Sequence, residues 1–412
     1  MQINYDNTIK ERFIPISYDE LLDSLLLYFN SKNRDKYIEF KEVLHYYYYK
    51  KFYNDLIKIE HSYQPFNPDS DVVSNIKMSD DIYIKKEQEL YAQIAPILNH
   101  ANYEVLTKEI LEETMNKTSP YGVEVSVDFE DFDEIQLYFR GESIRKDEIA
   151  DPKKLYLSKK SISEPVYRRL FLLIKPKLLD TRAKEIADKE GKDVEKIKEK
   201  LAKQKPLLIR DKTNKNIYIK LFKNIPHVDL EMLFPNTKVK MTLFDKVKLG
   251  TVGGGGTVGG GTTLVAKLGA ATIDPISAMM AIGAFGGILW RQVKEVFSRR
   301  THYLAKLSQK LYFHNLDNNA GALSYMLGMA QDEESKEALL VYMFLSHHQK
   351  VMSVEELDIA IESYIKEVYN ISIDFEVDDG LNKLRKLGFL IENNNKLSVI
   401  NIDKAIDMLN RF

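Results

Sequence analysis

"LGTVGGGGTVGGGTTLV", Leu249 to Val265, is where the reading of this chain divides. Eight of its seventeen residues are glycine, none is charged, and the next charge is Lys267. Such a run can cradle a phosphate, serve as a slack linker or enter a bilayer, and each option gives the rest of the chain a different purpose. A phosphate loop needs a lysine directly after its last glycine, to neutralise the phosphate that the backbone amides hold. Here Thr262, Thr263 and Leu264 follow instead. A dinucleotide fold needs a buried strand before the glycines and an acidic residue about 20 positions later to meet the ribose. "FDKVKLG" is a poor buried strand, and Asp274 precedes a proline. A soluble nucleotide-binding protein or enzyme using this segment is thus the alternative, not the leading reading.

The residues that follow favour lipid. "PISAMMAIGAFGGILW", Pro275 to Trp290, is uncharged and ends in the only tryptophan. Arg291, Lys294, Arg299 and Arg300 come next, and Lys238, Lys240, Lys246 and Lys248 precede the glycine run. Interfacial tryptophan with flanking cations is how apolar helices leave a membrane on its positive side. Two short passes at 249–290 are therefore expected, with Trp290, Arg291, Lys294, Lys246 and Lys248 as interface anchors. The pairs Gly250/Gly254, Gly255/Gly259 and Gly283/Gly287 keep the four-residue spacing that lets helices approach closely in lipid. They are the expected packing contacts, within one chain or in a homo-oligomer. Against this stand the shortness of each pass and the helical cost of glycine, up to about 1 kcal/mol each. A buried apolar helix behind a glycine linker is the bland reading.

Composition bounds the rest. The 412 residues exceed one ordinary core, so two or three domains are expected. With 44% hydrophobic and 29% charged residues the chain is globular in the main. The absence of cysteine excludes disulfides, thiolate metal sites and thiol catalysis. "MQINYDNTIKERFIP" has no export or organelle signal, so soluble parts are expected to face the cytoplasm. The net charge of −2 hides an excess of 22 Lys+Arg over 9 Asp+Glu between residues 153 and 223. That stretch suggests an anionic partner, either lipid headgroups or, as a further alternative, nucleic acid.

Residues 1–118 read as helical. Ser17 and Glu20 form a capping pattern before "LLDSLLLYF", and "YIEFKEVLHYYYYKKFYNDLIKIEH" is a second helix. Its four consecutive tyrosines cover all sides of a helix, so a mixture of core and surface positions is expected rather than a base-stacking platform. Residues 119–244 read as a small, mostly antiparallel α+β domain. "VEVSVDF" and "IQLYFRG" are expected to pair across the acidic turn "EDFDE", with strands at "PVYRRLFLLIK" and "NIYIKLFKNIP". A charged helical insert near 180–204 breaks at Gly191. Residues 245–300 hold the glycine-rich membrane hairpin, and 301–412 a helical, winged-helix-like C-terminal region. There "VDDGLNKLRKLG" would be the third helix and "FLIENNNKLSVI" the wing.

"YRRLFLLIK", "IYIKLFKNIPHVDLEMLFPNTKVKMTLFDKVKLG" and "LYFHNLDNNAGALSYML" resemble an uncharacterised-domain family that includes transmembrane protein 143. The likeness is best from Pro165 to Glu337. It implies a membrane-associated protein with a large soluble portion and supplies no catalytic residues. The lysine-rich insert and the glycine-heavy segment depart from the family pattern.

No other motif carries chemistry. None of the eight histidines falls in a metal-ligand spacing. His314 with Asp317 suits a cap better than a metal, and Asp128, Glu130, Asp131, Asp133 and Glu134 suit a solvated turn. Asp374, Glu376, Asp378 and Asp379 at the start of the third C-terminal helix would repel a phosphate backbone, so a protein partner is expected there and no nucleic acid. The expectation is a non-enzymatic, membrane-associated, self-associating protein, by extension pore-forming, with no catalytic residue, cofactor or metal.

Overall fold

Ser17 stops the chain before an apolar stripe, and its hydroxyl accepts the backbone N–H of Glu20 at 3.3 Å. That bond satisfies one of the free amides of a helix start and opens α1 (Tyr18–Tyr28), whose Leu21, Leu22, Leu25 and Leu26 face the core. The computed structural model describes residues 10–71, 78–107, 109–111, 124–150, 159–204, 215–235, 238–240, 314–347, 352–394 and 396–412. α2 (Arg34–Tyr63) buries Tyr37, Phe40, Leu44, Tyr48, Phe52, Ile59 and Tyr63, a stripe at helical spacing. Its four tyrosines divide as the helical period demands: Tyr48 is inside, whereas Tyr46 and Tyr49 are exposed. α3 (Asp80–His100) adds Leu90, Ile94, Ile97 and Leu98 to the same core.

The chain is a mixed α+β fold with a small antiparallel sheet. β1 (Glu104–Val105) is an edge strand; β2 (Glu124–Ser126) belongs elsewhere. β3 (Phe132–Ala150), β4 (Lys159–Pro176), β5 (Tyr218–Pro226) and β7 (Asn315–Asn318) complete the order β1-β3-β4-β5-β7. β4 lies at the centre and buries Leu170, Phe171, Leu172, Leu173 and Ile174 in succession. An unbroken apolar run is what a strand covered on both faces requires. The register is fixed by pairs such as Leu137↔Leu172 and Leu172↔Lys220.

Between β4 and β5 stand α4 (Leu179–Glu190) and α5 (Val194–Gln204). Gly191 ends α4 in the left-handed conformation, φ 63°, which costs glycine no Cβ clash. Ala183, Ala187, Ile197 and Leu201 give this helical pair a small core of its own.

One pairing differs from expectation. β2 does not join β3 across the acidic turn; it pairs with β6 (Lys238–Lys240), Glu124 opposite Lys240. The turn residues Phe129–Asp131 coil into a 3-10 helix, and β3 takes β4, the longer apolar partner, instead. β2, β6 and that turn lie in a second compact unit, residues 108–131 and 228–314, where Phe129 meets Phe234 edge to face at 5.4 Å. The first unit joins residues 1–107, 132–227 and 315–412.

The centre of the first unit is α6 (Asn319–His347), packed by α2, α3, β5, α7 (Val354–Tyr369) and α8 (Val377–Lys386). Ser353 and Glu356 form a complete capping box at the start of α7. β8 (Leu390–Asn393) and β9 (Lys396–Val399) make a hairpin with Asn393 opposite Lys396, and α9 (Ile402–Leu409) closes the chain.

The membrane reading is corrected here. The expected hairpin at 249–290 lies outside the described residues, and with it Gly250, Gly254, Gly255, Gly259, Gly283, Gly287, Trp290, Arg291, Lys294, Lys246 and Lys248. Among the described residues no helix is long and apolar enough to cross a membrane. α6 has the length at 29 residues, but its middle carries Glu333, Glu334, Lys336 and Glu337, each costly in hydrocarbon. A membrane-inserted, pore-forming protein with a membrane location is therefore not retained.

Candidate functional site at the buried charges of the central helix

Every residue of α6 from Glu333 to Leu345 is buried. A helix surrounded on all sides has no solvent face, so the charged turn Glu333–Glu337, "EESKE", cannot reach water as a surface run would, although Asp332 before it is part-exposed. Ionised groups cut off from water must be neutralised by partners or change protonation. Both occur, and the partners come from five other parts of the first unit.

Glu333 is the innermost. Its Oε2 accepts from Arg140 of β3 at 2.8 Å, and its Oε1 accepts the backbone N–H of Ile14 at 2.5 Å. Three residues on, Lys336 donates to the carbonyl of Ile14 at 3.1 Å. These two side chains, one helical turn apart, satisfy both polar groups of Ile14 in place of a neighbouring strand. Burial pushes the Glu333 carboxyl up, against the pull of Arg140 and Lys336.

Glu334 and Glu337 face α8 and the end of α3. Lys383 lies 3.1 Å from Glu334 and also bonds Glu337 and Asp379. His100 meets Glu334 at 2.8 Å, and Asn102 donates to Glu337 at 3.0 Å. Burial opposes the charge of Glu334, yet the His100 hydrogen bond and Lys383 together hold its carboxyl at about 2. Burial raises Glu337 despite Lys383, and the nearby Glu333 adds to the rise. Lys383 loses by burial but gains more from Glu337, Glu334 and Asp379, so its ammonium is held well above the usual lysine range.

The oxygens of Glu334, Glu337 and Asp379 lie within 4.8 Å of one another, a spacing that suits a cation. Lys383 bonds all three, and an ammonium so strongly held occupies the place a metal would take. The cluster is an internal ion-pair network. No sequence motif marks these residues; the available signal was a charged turn enclosed by apolar runs within one helix, "ALSYMLGMAQDEESKEALLVYMFL".

Among the described residues, part of the basic stretch is likewise paired within the fold. Residues 179–204 hold 8 cations and 7 anions, so the excess of the 153–223 stretch lies on either side of the helical pair. There Arg168 meets Glu11 at 2.8 Å, Lys175 meets Glu87, Lys177 meets Glu185 at 2.9 Å, and Lys215 meets Asp80 at 3.1 Å. Carboxylates of the chain itself answer these four cations, and the nucleic-acid alternative, which no finding supports, is not retained. The nucleotide-binding alternative rests on the glycine run, outside the described residues, and is not retained either. Asp317 accepts the N–H of Asn318 at 2.8 Å, a turn role rather than a ligand one. Asp128 caps the N–H of Glu130 at 3.2 Å in the acidic turn.

No solved structure matches the chain. The expected resemblance is supported at the level of an uncharacterised domain, without reaching transmembrane protein 143 in particular. Residues 132–321, from the start of β3 to the first turn of α6, match the model of a family described as "Protein of unknown function (DUF3754)".

Proposed function

We propose that this chain is a non-enzymatic interaction protein whose winged-helix-like C-terminal part docks a basic segment of a partner protein. The observation that carries this reading is the inward turn of Lys383. The central cation of α8, which a nucleic-acid reader would offer to phosphate, is buried against Glu334 and Glu337 instead. What α7, the loop after it and the first turn of α8 turn outward is acidic: from Val354 to Asp379 there are nine carboxylates and one cation, Lys366, with Arg385 and Lys386 exposed farther along α8. Burial raises the Asp358 carboxyl, and Glu362, Asp374 and Asp378 raise it further despite Lys10. Ile359, 65% exposed beside Asp358, offers an apolar contact within that surface. Charge complementarity of this kind governs encounter and partner choice more than raw affinity.

The test uses the full chain with a fluorescent decalysine peptide and a generic DNA duplex. Salt-sensitive peptide binding, weakened at least tenfold by Glu355→Lys with Asp378→Lys at unchanged melting temperature, supports the reading. Preference for the duplex, or peptide binding indifferent to the substitutions, overturns it.

A further inference from the structure

The loop joining α7 to α8 presents one backbone edge. Its Ile373 and Phe375 are buried in the core, and Glu362 of α7 accepts the Phe375 N–H at 3.3 Å. Alternate residues of an extended chain point opposite ways, so Ser372, Asp374 and Glu376 turn outward. Residues 10–12 lie along that edge in a parallel bridge. The Glu11 N–H donates to the Ser372 carbonyl at 3.1 Å, and the Asp374 N–H donates to the Glu11 carbonyl at 2.9 Å. The side chains alternate as well. Lys10 meets Glu362 at 3.2 Å, and Arg12 meets Glu376 and, at 3.3 Å, Glu104 of β1. Both of these cations are exposed, whereas Glu11 between them is buried and meets Arg168 of β4 at 2.8 Å. Gly141 of β3, at φ 72°, leaves room for it: a Cβ there would stand 2.7 Å from the Glu11 carboxylate and 2.6 Å from the Phe13 ring.

We propose that this groove recognises an extended cation–carboxylate–cation segment of a partner protein, and that Lys10–Arg12 is the chain's own copy of that ligand, seated until the partner's segment replaces it. This rests on the docking of a basic partner segment proposed above, and gives that segment its shape and its order of charges. The receiving edge is fixed independently of its occupant, through Ile373 and Phe375. The occupant is held less firmly, since its own apolar anchoring begins only at Ile14. The pairs made by Lys10 and Arg12 lie in solvent, where ion pairs contribute little.

The middle position sets the specificity. The Glu11–Arg168 pair is inside the fold, and an empty groove would leave Arg168 without Glu11, a costly loss for a buried charge. Only a segment that brings its own carboxylate between two cations makes the same set of contacts. Backbone pairing along an edge then supplies affinity, and the alternate side chains supply selection, as in other additions of a peptide strand.

Amide hydrogen exchange of the full chain reads the replacement, because the bridge has one donor on each side. The probe is a blocked peptide of residues 8–13 at about 5 mM, above the millimolar effective concentration of a short tether. It is expected to speed exchange at the Glu11 amide about tenfold, while the Asp374 amide, now bonded to the peptide, stays protected. A peptide of the same composition with the order Glu-Lys-Arg should change neither. In Lys10→Ala with Arg12→Ala the Asp374 amide should exchange faster alone and regain protection when the first peptide is added. An Asp374 amide indifferent to peptide in that variant, faster exchange at both amides in the wild type, or equal action of the reordered peptide overturns the proposal. Decalysine binding with no replacement overturns the groove and leaves the docking of a basic partner standing. Replacement without decalysine binding does the reverse.

Discussion

Lys383 of α8 and Glu334 of α6 meet inside the fold at 3.1 Å, with side chains 5% and 4% exposed. The cation also serves Glu337 and Asp379, so one ammonium balances three carboxylates. Removing one partner of such a network leaves charge buried without compensation, which costs about 3–5 kcal/mol. Lys383→Met is expected to lower stability by that amount in chemical denaturation. Adding Glu337→Gln should restore part of the loss, because it removes one of the stranded charges.

Glu333 makes a different test, since it binds both a side chain and the backbone of Ile14. Glu333→Gln keeps an acceptor for the Ile14 N–H but loses the charge facing Arg140. Glu333→Ala loses both and opens a void. The alanine variant should be the less stable by about 1–3 kcal/mol, and amide exchange at Ile14 should accelerate in it alone.

Acid should act through Glu334. Its folded carboxyl lies at about 2, below the ordinary value of 4.5, so its contribution is present above about 4.5 and fades as pH falls toward about 2. Comparing wild type with Glu334→Gln by denaturant midpoint from pH 6 down to pH 2.5 should show the difference shrinking by about 3 kcal/mol at most. Glu333 and Glu337 are shifted upward and act in the opposite direction, losing their contribution as pH rises above about 4.5. A constant difference between the two proteins would refute the assignment.

Two glycines separate space from backbone freedom. Gly380 lies in α8 where a Cβ would stand 2.6 Å from Val341 Cγ2 of α6. Alanine in a helix ordinarily gains up to about 1 kcal/mol over glycine, but here overpacking should reverse the sign and cost about 1–3 kcal/mol. Gly191 has open space but φ 63°, so Gly191→Ala should cost about 1–2 kcal/mol from backbone strain alone. Thermal melts of the two variants check both.

What was legible in the sequence was local. The Ser17 cap, the tyrosine-rich α2, the break at Gly191 and the β-hairpin at Asn393 depend on neighbours in the chain and stand where their patterns place them. The partner of β2 was not legible, because Ser126 pairs with Lys238 rather than across the adjacent turn. The charged centre of α6 was the larger miss. Nothing local in "DEESKE" shows that Ile14, His100, Asn102, Arg140 and Lys383 converge on it. Their separations from α6 run from 46 residues for Lys383 to 322 for Ile14.

The enclosure of that turn also bears on how the chain can be cut. The family match ends at residue 321, whereas Arg140 meets Glu333 and Arg168 meets Glu11. An excised 132–321 piece would carry Arg140 on β3 without Glu333 and Arg168 on β4 without Glu11, and the sheet without the helix packed on β5. The heritable unit recognisable by sequence and the unit that can balance its own charge are therefore different lengths of chain. The second needs residues from near both ends.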